Sequence, residues 1–317
     1  MKKTFCKHES LSPLFEVPVD VKSGRETQFG KVVQCRECGL RLVSPLPTTG
    51  QIPEHYDLPS YYTHGESHIQ DRPATLSDRV IMKLAWWTDR GTLFDPESDH
   101  ALPKHAATAL DIGCGHGELL SRMHELDLQT FGIDPDPAAR AEAGALGHKV
   151  FAGTAEDMPE DLHDQTFDMI TMTHVLEHCR DPVLALRNVA ERLSDHGHFY
   201  CEVPNAGALH FETYGPISEM LDIPRHLYFF EQSDLDRLFA ESGLEVIRWK
   251  FHGLTRHFSP GWKAWENTIH DVLCQRGAAP QCAKRSGLGD LGLLLRGMFQ
   301  APAKRYDCIG VLARKAR

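Results

Sequence analysis

A glycine-rich bend, acids at two segment ends and a pair of histidines four residues apart are the features of this sequence best suited to chemistry. In Ala109-Leu-Asp-Ile-Gly-Cys-Gly-His-Gly117 an apolar run ends in Asp111 and passes into Gly113, Gly115 and Gly117. Glycine is needed where the backbone takes positive φ or where a ligand comes so close that a Cβ would collide. The G-x-G-x-G spacing is one residue tighter than the dinucleotide fingerprint. That fingerprint seats a pyrophosphate on a helix N-terminus. Here Asp111 precedes the bend and would repel phosphate, so a ligand bearing positive charge is expected.

Two further segments follow the same grammar. Gln129-Thr-Phe-Gly-Ile-Asp134 is a short apolar run ending in an acid, which can accept both hydroxyls of a ribose. His148-Lys-Val-Phe-Ala-Gly153 leads into Thr154-Ala-Glu-Asp157, where Glu156 reads as a helix cap or a ligand contact. Next comes Phe167-Asp-Met-Ile-Thr-Met-Thr-His-Val-Leu-Glu-His178. If its end is helical, His174, Glu177 and His178 share one face. His174 is the better placed to meet a reacting group, whereas Glu177 and His178 could equally cap and pack the following turn. The order H-V-L-E-H differs from the metalloprotease H-E-x-x-H, and no third ligand accompanies it.

In this order, the motifs resemble those of class I S-adenosylmethionine (SAM) dependent methyltransferases, in particular bacterial small-molecule enzymes with an H-V-L-E-H signature. Glu202-Val-Pro-Asn205 and Arg225-His-Leu-Tyr-Phe-Phe230 extend the match. The resemblance implies that Asp111, Gly113, Gly115, Gly117 and Thr173 surround the methionine part of SAM, that Asp134 holds its ribose, and that Ala155 and Glu156 flank its adenine. It further implies a general base among His174, His178 and His226, with Glu177, Asn205 and Arg225 lining the acceptor site. Similar enzymes close a helical lid carrying a Tyr-Tyr pair, which makes Tyr61 and Tyr62 candidate cleft residues, simple packing being the alternative.

Elements able to position these groups are legible in the alternation of short apolar runs with helical stretches. It predicts an α/β fold, a Rossmann-like, doubly wound seven-stranded sheet whose last strand is antiparallel and closes an edge. Strands are expected near 108 to 112, 129 to 133, 148 to 152, 167 to 173, 197 to 203, 244 to 251 and 306 to 313. The spacing also predicts a helix over 77 to 90, with Val80, Ile81, Leu84 and Trp87 facing the core.

The expected organisation is a ribbon-like region over 1 to 50, a helical lid over 51 to 104, a SAM-binding core over 105 to 253, a helical insertion over 254 to 304 serving substrate walls or dimer contacts, and the last core strand over 305 to 317. In the first of these, Cys35-Arg-Glu-Cys38-Gly resembles half of a zinc ribbon, two thiolates on a tight turn taking two corners of a tetrahedron. Cys6 and His8 stand where the other half belongs, with Glu9 in place of the expected second cysteine. The ligand set is then Cys6, His8, Cys35 and Cys38, unless Glu9 replaces His8 or the ribbon has lost its metal.

Composition narrows the class. The chain has 317 residues, 41% of them hydrophobic, enough for a large core. Nine cysteines at scattered spacings point to free thiols and a metal site, not a disulfide framework. No apolar run reaches the eighteen residues of a membrane span and no apolar signal region follows Met1, so a cytoplasmic protein without a membrane partner is expected. The net charge of −10 disfavours a general nucleic-acid binder. Residues 275 to 317 nevertheless hold nine Lys or Arg against two Asp, a solvated basic face or a patch for an anionic partner. The expected activity is methylation of a small molecule, at an oxygen of a sugar or hydroxylated metabolite. A non-catalytic SAM-binding scaffold and an RNA methyltransferase are the alternatives.

Overall fold

The computed structural model describes residues 6–56 and 69–316. Tyr61 and Tyr62 lie outside the described residues.

An antiparallel meander opens the chain: β1 (Leu11–Glu16), β2 (Lys31–Cys35) and β3 (Arg41–Val43). Helix α1 (Leu76–Thr88) begins at a capping box in which Thr75 and Asp78 each accept the other's backbone N–H. The alternating core follows as β4 (Thr108–Ile112), α2 (Glu118–Glu125), β5 (Gln129–Asp134), α3 (Pro137–Ala145), β6 (Lys149–Ala152), β7 (Phe167–Thr173), α4 (Pro182–Arg192) and β8 (Leu193–Pro204). Asp136 and Asp181 cap α3 and α4, each ahead of a proline at the first helical position, where the missing N–H costs nothing. The chain continues through α5 (Leu209–Tyr214), β9 (Tyr228–Phe229), α6 (Gln232–Glu241) and β10 (Leu244–His252). It then passes α7 (Pro260–Gln275), α8 (Gly287–Gly297) and α9 (Pro302–Arg305) and ends in β11 (Cys308–Lys315).

Seven strands form one sheet in the order β10-β11-β8-β7-β4-β5-β6, with β11 antiparallel to both neighbours. Central strands such as β7 are apolar on both faces, as a parallel sheet covered on both sides requires. Because β4 lies between β5 and β7, strand order reverses at β4, and the crevice beyond its carboxyl end is the natural ligand position.

The strand positions expected from sequence are found, but β11 does not close an edge: it is inserted between β8 and β10, and β10 is the edge strand. The core assignment for α1 also needs correction. Ile81 and Ala85 are buried, whereas Val80, Leu84, Trp86 and Trp87 are exposed. Helical spacing identifies a common face without saying which side the core lies on. The N-terminal strands are joined to the rest through β3, which pairs with β9 in the register Arg41↔Phe229 and Leu42↔Tyr228. Among the described residues no helix is long and apolar enough to cross a membrane.

Candidate active site

At the end of β4 the chain bends through Gly113, Gly115 and Gly117, with φ of 72°, 52° and 88°. These left-handed values are costly for residues with a Cβ. A Cβ at Gly113 would lie 2.3 Å from Val175 Cγ2, while one at Gly115 would meet nothing within 4 Å and project into open space. The bend is fastened to β5: the N–H groups of Gly113 and Cys114 donate to the carbonyl of Ile133, and that of Gly115 donates to Asp134 Oδ2 at 2.9 Å. Asp134 Oδ1 accepts from the Asp136 N–H at 2.8 Å, so each carboxylate oxygen retains a lone pair for a ligand.

Asp111 is buried and accepts from Thr171 Oγ1 at 2.6 Å. Burial pushes its pKa up to about 7, with the nearby Asp134 carboxylate adding to the effect against the Thr171 hydrogen bond. Burial likewise raises Asp134. Two acids held against their charged forms are suited to a cationic ligand, which would restore their ordinary ionisation. Thr173 ends β7 with its hydroxyl buried and no hydrogen-bond partner among the described residues. The glycine bend, the two free lone pairs of Asp134 and this orphan hydroxyl fit the group expected there. Glu156 departs from expectation. Its carboxylate accepts from the N–H groups of Arg180 and Asp181 just ahead of α4, so it is already engaged within the protein, while Ala155 beside it is buried.

A second cluster faces this one from the turn after β7. His174 has φ 55°, held there by its N–H donating to the Glu202 carbonyl at 2.9 Å. Its Nδ1 lies 3.3 Å from Glu177 Oε1 and its Nε2 3.4 Å from Glu202 Oε1. Burial opposes its charge, but the two carboxylates prevail and its pKa stands well above the usual range. The Cys308 thiol 3.9 Å away is itself raised by burial and stays neutral, so the carboxylates are the physical cause. With a carboxylate at each ring nitrogen favouring the charged form, His174 is the less suited of the histidines to accept a proton. Glu202 in turn lies 2.9 Å from His252 Nε2 and accepts from Tyr200 Oη at 2.5 Å. His174 and His252 hold its pKa well below the carboxylate range despite burial.

His178 differs. Its Nδ1 is 3.0 Å from the Arg225 carbonyl, and a carbonyl only accepts, so Nδ1 carries the proton and Nε2 the lone pair. The Tyr56 hydroxyl lies 2.9 Å from the same Nδ1. His226 stacks edge-on against His178 at 4.7 Å, and its Nδ1 donates to the Met220 carbonyl. Burial and the neighbouring His178 lower its pKa to about 4, leaving it neutral. Glu177 Oε2 is buried without a hydrogen-bond partner among the described residues.

Two residues expected at the acceptor are committed elsewhere. The Asn205 amide donates to the carbonyls of Ala303 and Tyr306 and accepts from the Gly207 N–H. Arg225 has a fully buried side chain that pairs with Asp20 and Asp222 and donates to the His55 carbonyl. Both are structural ties because their donors are already used inside the protein. Sequence reasoning missed Tyr56, Asp20, Glu202 and His252 as site residues. Glu202 alone left a local signal, an acid at the carboxyl end of an apolar strand.

A third constellation lies in the N-terminal sheet, where Cys6, His8, Cys35 and Cys38 gather with their donor atoms all within 4.8 Å of one another. Cys6 Sγ is 3.6 Å from Cys35 Sγ, and Cys38 Sγ is 3.5 Å from His8 Nδ1. Burial raises Cys6 to about 12, whereas backbone N–H groups outweigh burial at Cys35 and lower it. Glu9 is exposed and outside the cluster.

A methyltransferase-domain family model matches residues 82–248. The chain belongs to that family. The methyltransferase is 30% identical over 200 residues to a ubiquinone biosynthesis O-methyltransferase of Pseudomonas aeruginosa, covering 55% of this chain and 84% of that one. A protein of the same name from Photobacterium profundum is 30% identical over 153 residues, 43% of this chain and 64% of that one. Among solved structures, a SAM-dependent methyltransferase from Archaeoglobus fulgidus superposes with a TM-score of 0.48 at 16% identity, covering 75% of this chain and 94% of that one. The family model and the O-methyltransferase relatives make this chain a SAM-dependent methyltransferase, carried on the Rossmann-like sheet described above.

Proposed function

We propose that this enzyme methylates a hydroxyl oxygen of a small molecule, with donor and acceptor meeting between the glycine bend and the His178–His226 cluster. The observation that carries this reading is the fixed tautomer of His178, which leaves Nε2 with its lone pair in a cluster where Glu177, His178 and His226 offer atoms within 4.8 Å of one another. O-methylation by the two curated relatives agrees with it. Bound SAM supplies a methyl group on a sulfonium, and Asp111 and Asp134 would orient its ammonium and ribose.

His178 Nε2 would take the hydroxyl proton as the oxygen attacks, and the Arg225 carbonyl and Tyr56 hydroxyl would steady the imidazolium that forms. Such a base contributes roughly 10² to 10⁴-fold, and alignment supplies on the order of 7 to 11 kcal/mol. A panel of phenols, catechols and sugars incubated with SAM, read by mass spectrometry for S-adenosylhomocysteine and methylated product, tests the proposal. Methylation confined to nitrogen or sulfur acceptors would refute it.

The basic C-terminal stretch lends little to an RNA substrate. Arg276, Lys284, Arg285, Lys304 and Arg314 are each ion-paired with an acid of this chain. We also propose a structural zinc ion on Cys6, His8, Cys35 and Cys38, since three thiols and an imidazole within one small volume are the donor set of such a site. When bound, it cross-links the N-terminal segment to the Cys35–Cys38 knuckle, and elemental analysis returning no zinc would dismiss it. The division at residues 50, 104, 253 and 304 remains our proposed parsing of the chain.

A further inference from the structure

Helices α1 and α8 pack against each other, and among the described residues their outward faces carry most of the exposed large apolar side chains. On α1, Leu76, Val80, Leu84 and Trp87 recur at helical spacing and are 79%, 51%, 39% and 65% exposed. On α8 and the turn after it, Leu288, Leu295 and Phe299 are 85%, 49% and 87% exposed. The two stripes start side by side, because a Cβ on Gly287 would lie 3.4 Å from Ser77 Oγ. Isolated exposed leucines need no explanation, but a contiguous apolar face of this kind marks an interaction surface.

Charge selects the occupant. The exposed charged residues of the two helices are Arg79, Lys83 and Arg296, all cations. The acids of the same helices, Asp78 and Asp290, are buried in ion pairs with Lys263 and Arg285. Trp86, 70% exposed, lies on the cationic flank with Arg79 and Lys83. We propose that this face lies on the surface of an anionic lipid bilayer, with the apolar stripes and tryptophans in the interfacial layer and the cations on headgroup phosphates. Aromatic, aliphatic and basic groups in this arrangement are the composition of an interfacial helix. A two-fold dimer through the same patch would bring Arg79, Lys83 and Arg296 of one copy towards those of the other, with no exposed acid on either helix to neutralise them.

The face adjoins the acceptor side of the cleft. Just past α1, the Arg90 N–H donates to Tyr306 Oη at 3.0 Å, and Gly91 packs on His252. A docked molecule would hold that side of the cleft near the headgroups. The proposal does not depend on which acceptor is methylated.

Flotation of the full chain with phosphatidylcholine vesicles, and with vesicles that also contain phosphatidylglycerol, tests it. Binding is expected to the anionic vesicles, to weaken with added salt through screening, and to fall about tenfold or more in W86S/W87S and in R79E/K83E. These side chains are exposed, so thermal melting of both variants should match the parent. Absence of flotation with either vesicle would overturn the proposal, as would undiminished binding by W86S/W87S. So would a dimer in sedimentation that W86S/W87S dissolves while vesicle binding is absent.

Discussion

In the cleft as proposed, the donor half and the acceptor half are assembled by different means. The donor half is a matter of backbone: one glycine bend, the next strand end, and N–H groups held within twenty residues of each other, such as Gly115 on Asp134. The acceptor half is a matter of distant side chains. Tyr56 reaches His178 across 122 positions and Asp20 reaches Arg225 across 205. Methyl donation is common to the family and can rest on a local device, whereas under the proposed reading acceptor recognition would draw on what the N-terminal segment brings to the same turn.

This contrast predicts that lesions in the acceptor half leave SAM affinity intact. His178→Asn should lower kcat by roughly 10² to 10⁴-fold with the SAM Kd unchanged by calorimetry. A parallel loss of SAM binding would erase the distinction. Arg225→Met leaves Asp20 buried without its cation, and Asp222 with Lys22 alone, and should cost on the order of 3 to 5 kcal/mol in urea unfolding. On the donor side, Asp134→Ala should weaken SAM binding about a hundredfold, the worth of two hydrogen bonds to a charged group.

Acid should act first on the acceptor half. His226, near pKa 4 when folded, takes up a proton on unfolding between about pH 6.5 and 4. The unfolded state therefore binds more protons in that window, and stability falls as pH is lowered, on the order of 1 kcal/mol per pH unit. The raised His174 has the opposite sign, its contribution being complete below about pH 6.5 and lost only on alkaline titration. Urea midpoints at several pH values check both slopes. The smallest effect expected is that of Tyr56→Phe, which removes one hydrogen bond from His178 and should lower kcat/KM about three- to tenfold while shifting its pH profile.

Legibility followed the same division. Strand–bend–acid units are contiguous, so the seven strands could be read from the alternation of apolar runs, while the roles proposed for the residues at their ends came from the family resemblance. Likewise the Cys35–Cys38 knuckle pointed to Cys6 and His8, which the structure brings to it. Glu156, Asn205 and Arg225 were visible as polar residues at strand ends or in motifs, but whether such a group serves a ligand or the protein depends on partners elsewhere in the chain. The α1 face failed for a related reason: Val80, Leu84 and Trp87 have the period of a core stripe, and periodicity alone does not distinguish a core from a docking surface.

The clasp between Asp20 and Arg225 has one further consequence. A shortened version of this protein that begins after residue 56 would not be a minimal catalyst with an ornament trimmed away, because it would leave the buried guanidinium with Asp222 alone and loosen the loop that carries the His178 partner. Exchange of the first fifty-odd residues between relatives should therefore succeed only when the stretch from 222 to 229 travels with them.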